Sequence, residues 1–484
     1  MFRSIISGAA ALAVGLGAGW VFVAAVGFRI DPTATALPIN IDKPPPSPQK
    51  RGHLVKMTVW MGGQPSDRRK GWIGVNMAPL ELPLAQSVGL PNAEGVVILD
   101  TIEGGPASQV GLRFGDILLA VNAKAVANMN DVRQQLTALM PGSETVLEVW
   151  RVGSDTDNDA ELLRMLLRQA DGGDPNVMYS LGRLYAIGAR GLPRNEVSAV
   201  EWYRKGTAAG GRNAKAALAF ALLDGRGIPS DLSEGLRLLK EAAANDQPNA
   251  MNRLGHQLLE GRITEKDPSE AARLFTKAAE AGHVPSMVDL GKLYATGTGV
   301  SKDPASAAEW FGQAVRHNDG NGMVQLGWLY EHGVGVETDL VAAASLYRRA
   351  STLRNAGGMV SLALLYSQGR GVERNDSAAV SLYRDAVTLN HPMALNNLAW
   401  MLQQGRGVDR ADPDQAADLM MKSLQRHNEF SRVRMTQFSS AWTKEFRRAL
   451  QKRLTDTGYY NGPIDGEFDY LMVKAINAYF NTAR

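Results

Sequence analysis

Between positions 174 and 427 the chain repeats itself. A Leu-Gly or Leu-Ala pair recurs at Leu181, Leu218, Leu254, Leu290, Leu326, Leu362 and Leu398; the first step is 37 residues and the next five are 36. A second column of glycines keeps time with it at Gly188, Gly225, Gly261, Gly297, Gly333, Gly369 and Gly405. One such unit is too small to bury its own apolar face, so successive units must stack, and a period in this range is the mark of a solenoid.

The unit beginning at Val284 shows what is repeated. Met287, Leu290 and Tyr294 fall at helical spacing, Gly297-Thr298-Gly299-Val300 turns the chain, and Asp303-Pro304 starts a second helix whose buried side is Trp310, Phe311 and Ala314. Asp at the N-cap accepts from exposed amides of the first turn, and Pro at the next position loses nothing by lacking an N–H. The cap recurs as Asn195, Asp231, Asp267, Asp303, Asp339 and Asn375, and the pairs Asp231/Glu234 and Asp267/Glu270 have capping-box spacing. Two helices per repeat follow.

The Leu-Gly-x-x-Tyr element (Leu181 to Tyr185, Leu326 to Tyr330) is similar to tetratricopeptide repeats, but the longer period and glycine-rich turn resemble Sel1-like repeats. Seven are present. Five carry Gly-x-Gly at the turn; the third reads Gly261-Arg262-Ile263, and the first holds an extra residue in Gly188-Ala189-Arg190-Gly191. The Tyr, Trp and Ala columns are read as packing between helices. The histidines have no metal-ligand spacing, and the carboxylates fall on caps and exposed faces. No cofactor and no catalytic residue is expected. The solenoid, assigned to 160–428, offers a face to a protein partner that the sequence does not name.

Ahead of the array, residues 5–28 form an uncharged, largely apolar run closed by Arg29 and Asp31. As a helix it would span roughly 36 Å, enough for a bilayer core of about 30 Å. Arg3 and the amino terminus on one side favour an orientation with the N-terminus inside. A single-pass inner-membrane anchor over 1–29 is therefore expected. Ala34-Thr35-Ala36 leaves open a cleaved signal, with secretion to the periplasm. Residues 30–70 include Pro44-Pro45-Pro46-Ser47-Pro48 and are read as a linker, although His53 to Trp60 alternates well enough to be a strand.

From 71 to 153 the motifs fall into a recognisable order. Gly71-Trp72-Ile73-Gly74-Val75 enters a strand, Gly95-Val96-Val97-Ile98 gives another, and Gly104-Gly105-Pro106-Ala107 leads a short helix. Phe114-Gly115-Asp116 precedes a strand through Val121, an amphipathic helix covers 130–139, and Thr145 to Val152 closes the set. This resembles the PDZ domain, an α+β fold, of the bacterial HtrA type. The resemblance implies that a protein C-terminus or extended peptide adds as a strand, with its carboxylate at Ile73-Gly74-Val75 and its side chain near Val132 and Leu136. Physically, a glycine lets successive amides converge on one anion, and residues four apart share a helix face. The same apolar residues would also serve simply as core. HtrA proteins carry a protease domain before the PDZ, but the forty or so residues between the apolar run and Gly71 hold one histidine, His53, and no nucleophile motif.

Residues 442–484 read as helix, loop, helix around Gly458-Tyr459-Tyr460-Asn461-Gly462-Pro463-Ile464-Asp465-Gly466-Glu467-Phe468. The loop resembles the signature of the small three-helix-type peptidoglycan-binding domain, departing from it where Asp469-Tyr470-Leu471 replaces the usual glycine. Tyr459, Tyr460 and Asp465 are the candidate wall-contact residues, or else the loop's own core. Polar joints are expected at 154–158 and 431–440.

Composition fits this multidomain reading. A chain of 484 residues exceeds one core, a net charge of +3 gives no expectation of nucleic acid, and the lack of cysteine excludes disulfides and thiolate sites. The expected protein is a non-enzymatic envelope scaffold with membrane, protein and peptidoglycan partners. The alternative is an adaptor for a separate periplasmic protease or wall hydrolase.

Overall fold

The computed structural model describes residues 52–482 apart from 65–66, 102–104, 141, 152–155 and 190–191. The apolar run at 5–28 lies outside the described residues. Among those described, no helix is long and apolar enough to cross a membrane.

The first unit is a sheet built from β1 (His53–Trp60), β4 (Val75–Pro79), β5 (Val96–Thr101), β6 (Ile117–Val121), β7 (Lys124–Ala125) and β8 (Glu144–Arg151), in the order β1-β8-β6-β5-β4 with β7 on β6. The hairpin β2 (Gly62–Gln64) and β3 (Asp67–Trp72) stands apart from it. The assignment of 30–70 to linker needs correcting. Strand β1 pairs antiparallel with β8 along its whole length, from His53 opposite Arg151 to Trp60 opposite Glu144, and buries Met57 and Val59 in the sheet's core. Helices α1 (Leu82–Ser87), α2 (Pro106–Gln109) and α3 (Met129–Thr137) complete the domain. Across its base, Arg151 grips Asp116 through two bonds of 2.6 and 2.9 Å, tying the last strand to the turn before β6.

After α4 (Thr156–Asp171) the repeats follow as seven helix pairs: α5 (Pro175–Ile187) and α6 (Glu196–Ala208), α7 (Arg212–Asp224) and α8 (Leu232–Ala244), α9 (Pro248–Glu260) and α10 (Pro268–Glu280), α11 (Val284–Thr296) and α12 (Pro304–Arg316). The last three are α13 (Gly320–His332) and α14 (Leu340–Thr352), α15 (Ala356–Gln368) and α16 (Asp376–Thr388), α17 (Pro392–Gln403) and α18 (Pro413–Gln425). All six expected caps accept backbone hydrogen bonds at their helix starts. The two expected capping boxes are only half formed: Glu234 and Glu270 turn outward to Arg237 and Arg273, an ion pair one turn along outcompeting the backbone amide. The Leu-Gly pair has a packing cause. A Cβ on Gly291 would lie 2.5 Å from the ring of Phe311, so glycine lets the second helix lay its aromatic on the first helix's backbone.

Residues 154–155 lie outside the described residues; the rest of both expected joints is largely helical. Helix α4 carries the buried Leu162, Leu163, Met165 and Leu166 into the domain contact, and its Arg168 and Gln169 bond Glu81 at 2.6 and 3.1 Å. At the other end α19 (Glu429–Gln437) covers most of 431–440 and leads to α20 (Lys444–Asp456) and α21 (Tyr470–Thr482). Trp442, Phe446, Leu450 and Ile476 share one apolar cluster with Leu398, Leu402 and Met420 of the seventh repeat. Apolar surface on both sides of each joint explains the docking: left apart, each domain would expose it to water.

Candidate functional site

The residues expected to receive an added strand centre on β4. Gly74 is held at φ 71°, in the left-handed region, so that the chain turns out of β3 and straight into β4. The Ile73 carbonyl is fixed by the Ala107 amide at 2.8 Å. Strand β4 ends the sheet: it pairs with β5 on one side, and among the described residues no strand pairs with its other edge. Such an edge accepts a peptide through its main chain.

Helix α3 is set by a complete capping box. The Asn128 side chain accepts from the Asp131 amide, and the Asp131 carboxylate accepts from the Asn128 amide. This presents Val132 and Leu136 on one face, in a single cluster with Ile73, with Val75, Met77 and Met129 half-buried around it. The sequence-derived residues therefore do come together. Ile73 and Val132 are 1% and 0% exposed and so belong to the core beneath this edge, while Val75, Met77 and Met129 are half-buried above them.

The back of the same strand was not anticipated. Side chains alternate across a strand, and the residues pointing away from the groove, Asn76 and Ala78, are buried against the array. Asn76 accepts a 2.9 Å hydrogen bond from Asn213 at the start of α7, and α5 packs on β4 and β5. Asp100 of β5 lies 3.7 Å from Arg183 on α5. Burial, reinforced by the Asp100 charge, pushes the nearby Tyr179 and Tyr203 phenols up, the latter to about 12. Sequence offered one signal: polar residues at strand positions facing away from the groove, with no partner visible inside the domain.

At the C-terminus, the candidate residues divide. Tyr460 is 4% exposed and donates to the Pro463 carbonyl at 3.1 Å, while Tyr459 meets Tyr479 edge-on. Asp465 accepts from the Glu467 amide and from Gln451, which holds its carboxyl below the usual range. The hub is Gln451 on α20. Fully buried, it also receives the Gly466 amide at 2.7 Å and donates to the Glu467 carbonyl at 2.8 Å. Tyr460 and Asp465 thus build the loop, and its outward apolar side chains are Ile464, Tyr470 and Leu471, the last two in the segment that departs from the signature.

Within the array, Asp289 collects His256 at 2.9 Å and Lys292 at 3.1 Å; burial pushes its carboxyl up, but these partners outweigh burial and hold it at about 2. Among the described residues no group of His, Asp or Glu is arranged to hold a metal ion.

The Sel1 repeat family model matches seven consecutive segments, 175–211, 213–247, 248–283, 284–319, 320–355, 356–391 and 392–424, which together make up just over half of the chain. The chain belongs to the Sel1-repeat family. Ahead of the Sel1 repeats a PDZ domain model matches 71–162, and behind them the model described as "Putative peptidoglycan binding domain" matches 443–479. The PDZ region is similar to two proteins named "Probable periplasmic serine endoprotease DegP-like". That of Bartonella henselae is 30% identical over 94 residues, 19% of this chain and 18% of the relative; that of Chlamydia muridarum is 36% identical over 84 residues, 17% of each. The matched stretch thus spans less than a fifth of these relatives. Among solved structures, an SLR-fold protective antigen of uropathogenic Escherichia coli is 25% identical, with TM-score 0.48, over 61% of this chain and 64% of the other. A Sel1 repeat protein from Oxalobacter formigenes is 27% identical, with TM-score 0.42, over 44% and 85%.

Proposed function

We propose that this Sel1-repeat protein is a non-enzymatic scaffold of the bacterial envelope, anchored in the inner membrane by residues 5–28 and working in the periplasm. The PDZ groove takes a protein C-terminus or extended strand, the repeats dock a protein partner, and the C-terminal module touches peptidoglycan. The observation that supports it is the pairing of two interaction modules and a wall-binding module in one chain, with a groove open at the β4 edge.

Because the C-terminal module shares its core with the seventh repeat, deleting it would damage the array, and the wall reading is better tested by surface changes. Full-length protein is sedimented with purified sacculi, beside the Tyr470→Ser/Leu471→Ser variant. The wild-type chain is expected to pellet and the variant to remain in the supernatant. Failure of both to pellet removes the wall contact, and equal pelleting removes these residues from it. Extraction of cell membranes with alkaline carbonate tests the anchor, which requires the protein to stay with the lipid.

The similarity of the PDZ region to DegP-like proteases favours a second reading, in which the scaffold delivers or restrains a separate protease or wall hydrolase. Photo-crosslinking from position 77 in cells separates the two. Recovery of a hydrolase supports the adaptor, and recovery only of non-enzymatic proteins discards it.

A further inference from the structure

The second glycine of each Gly-x-Gly turn is a stacking device. Gly227, Gly299, Gly335, Gly371 and Gly407 all have φ between 66° and 73°. A Cβ on any of them would fall 2.0–2.3 Å from the backbone of Glu196, Pro268, Pro304, Leu340 or Asp376 respectively. Each of these is the first residue of the second helix in the preceding repeat, so the turn's bare backbone rests on that helix's start.

The third repeat breaks the series. Ile263 stands where the second glycine belongs, it does not adopt a positive φ, and its turn faces Leu232 at the start of α8. The branched side chain denies the left-handed conformation and the close approach together. The consequences are local. Leu232 is 49% exposed, whereas the five equivalent residues are half-buried. Beside it an open cleft of about 430 Å³ is walled by Leu223, Leu232 and Ile263; a second of about 700 Å³, lined by Arg204, Leu218 and Leu222, lies on repeats one and two and does not reach Ile263. In the wall of the smaller cleft, Arg253 is committed to Asp224 at 2.5 Å and its Nε is buried. Arg262, 81% exposed, has only a 3.7 Å contact with Glu260.

We infer that the junction of repeats two and three is a docking cleft for an acidic, apolar segment of a partner protein. One bulky apolar side chain enters between Leu232 and Ile263, and a neighbouring carboxylate is received by the exposed Arg262. An open cleft with an apolar wall and guanidinium rim suits a polypeptide laid across it; small molecules favour sites that enclose most of their surface. The inference rests on the reading of the array as a protein-docking element and names where and by what chemistry it docks.

The test uses full-length protein and a fluorescent decapeptide with a Glu-Glu-Leu-Phe-Glu core, acetylated and amidated so that it has no free carboxylate for the PDZ turn. Controls replace its Glu by Lys, or its Leu and Phe by Ser. In anisotropy titrations the acidic peptide is expected to bind and both controls to fail. Leu232→Asp and Arg262→Glu, both at exposed positions, should each weaken binding about tenfold or more, equivalent to about 1.4 kcal/mol. Trp328→Ala, at an exposed site three repeats away, should leave it unchanged. No binding, equal binding of the lysine peptide, or insensitivity to Leu232→Asp overturns the cleft. Loss on Trp328→Ala alone overturns it while leaving the array a docking element. If photo-crosslinkers at neither 232 nor 328 capture a protein in cells, the docking reading itself falls.

Discussion

Replacing Gly371 by Ala should cost far more than a methyl group in an exposed turn ordinarily does. Two terms can be separated. Gly371 sits at φ 66°, where an L-residue is strained by about 1–2 kcal/mol, partly offset by reduced freedom of the unfolded chain. In addition, the new Cβ would lie 2.3 Å from the Leu340 carbonyl oxygen and 2.6 Å from the Leu340 Cβ. Both atoms are held by α14, so the turn must back away by roughly 1 Å to reach ordinary van der Waals separation. Forced displacement of packed structure costs about 1–3 kcal/mol. The total is about 2–4 kcal/mol. Gly210 is the internal control: it has φ 83° and nothing within 4 Å of its would-be Cβ, so Gly210→Ala carries the strain alone, about 1 kcal/mol after the same offset. The molecule has already run this comparison. Five of the six turns equivalent to Gly210 hold Asp246, Asn318, Arg354, Asn390 and His427 at φ 53–61°, the sixth keeping Gly282, so strain without a clash is tolerated there. Thermal unfolding followed by circular dichroism at the helix band should show the midpoint of Gly371→Ala falling by roughly 5–12 °C. Gly210→Ala should fall by a few degrees. If the two variants lose the same stability, the second glycines do not set the spacing between repeats, and the cleft at Ile263 loses its cause.

Three further expectations follow from buried polar contacts. Asn213→Ala strips Asn76 of its partner inside the contact between sheet and array, at a cost of about 1–3 kcal/mol, while the Asn76→Leu/Asn213→Leu double variant should be milder; urea unfolding in which the double variant is the worse contradicts this. Gln451→Ala leaves the Gly466 amide and Glu467 carbonyl without their partner and should destabilise the C-terminal module by about 2–4 kcal/mol, read as lost amide-exchange protection across 458–468. Burial, with Arg316 adding to it, lowers the His317 pKa to about 4. Between its unfolded value near 6.5 and about pH 4 the unfolded chain binds a proton that the folded chain refuses, so stability should fall as pH drops through that window. His317→Gln should flatten that slope, and an unchanged slope would assign it to other groups.

What could be read from the sequence and what could not divide along one line. Features repeated every 36 residues were legible, because stacking imposes the same demand in each unit: the caps from Asn195 to Asn375, the turn glycines and the aromatic columns that pack between helices are each one solution used repeatedly. Features made once, between elements far apart in the chain, were not. Asn76 meets Asn213 across 137 positions and Arg168 meets Glu81 across 87; the unpartnered polar position on β4 was a hint of the first, but no local pattern names the partner in either. The cluster beside β4 could be placed because Gly74 and the spacing of Val132 and Leu136 are local, yet that Ile73 and Val132 are fully buried depends on tertiary packing. In the C-terminal loop the tyrosines drew attention as flat, sugar-sized faces. A buried glutamine nine residues earlier on a helix gave no such signal, and it organises the loop.

The docked junctions alter how the three grips would cooperate. Flexible tethers would make each second binding event intramolecular over a broad range of distances, with affinity set by linker length. Here β4 is pinned to the second repeat through Asn76 and packs on α5 of the first, and Trp442 packs edge-on against Trp400 of the seventh. The span between PDZ groove and wall module is therefore set by the repeats between them, each adding one fixed increment. A rigid ruler sharpens selection: partners at the matching distance gain the whole benefit of joint binding and others gain none. Inserting one further 36-residue unit between repeats four and five would keep every local contact, yet shift that distance. Such a chain should bind each isolated ligand as before and lose the cooperative gain when peptide and wall are presented at fixed separation, whereas a tethered scaffold would scarcely notice the insertion.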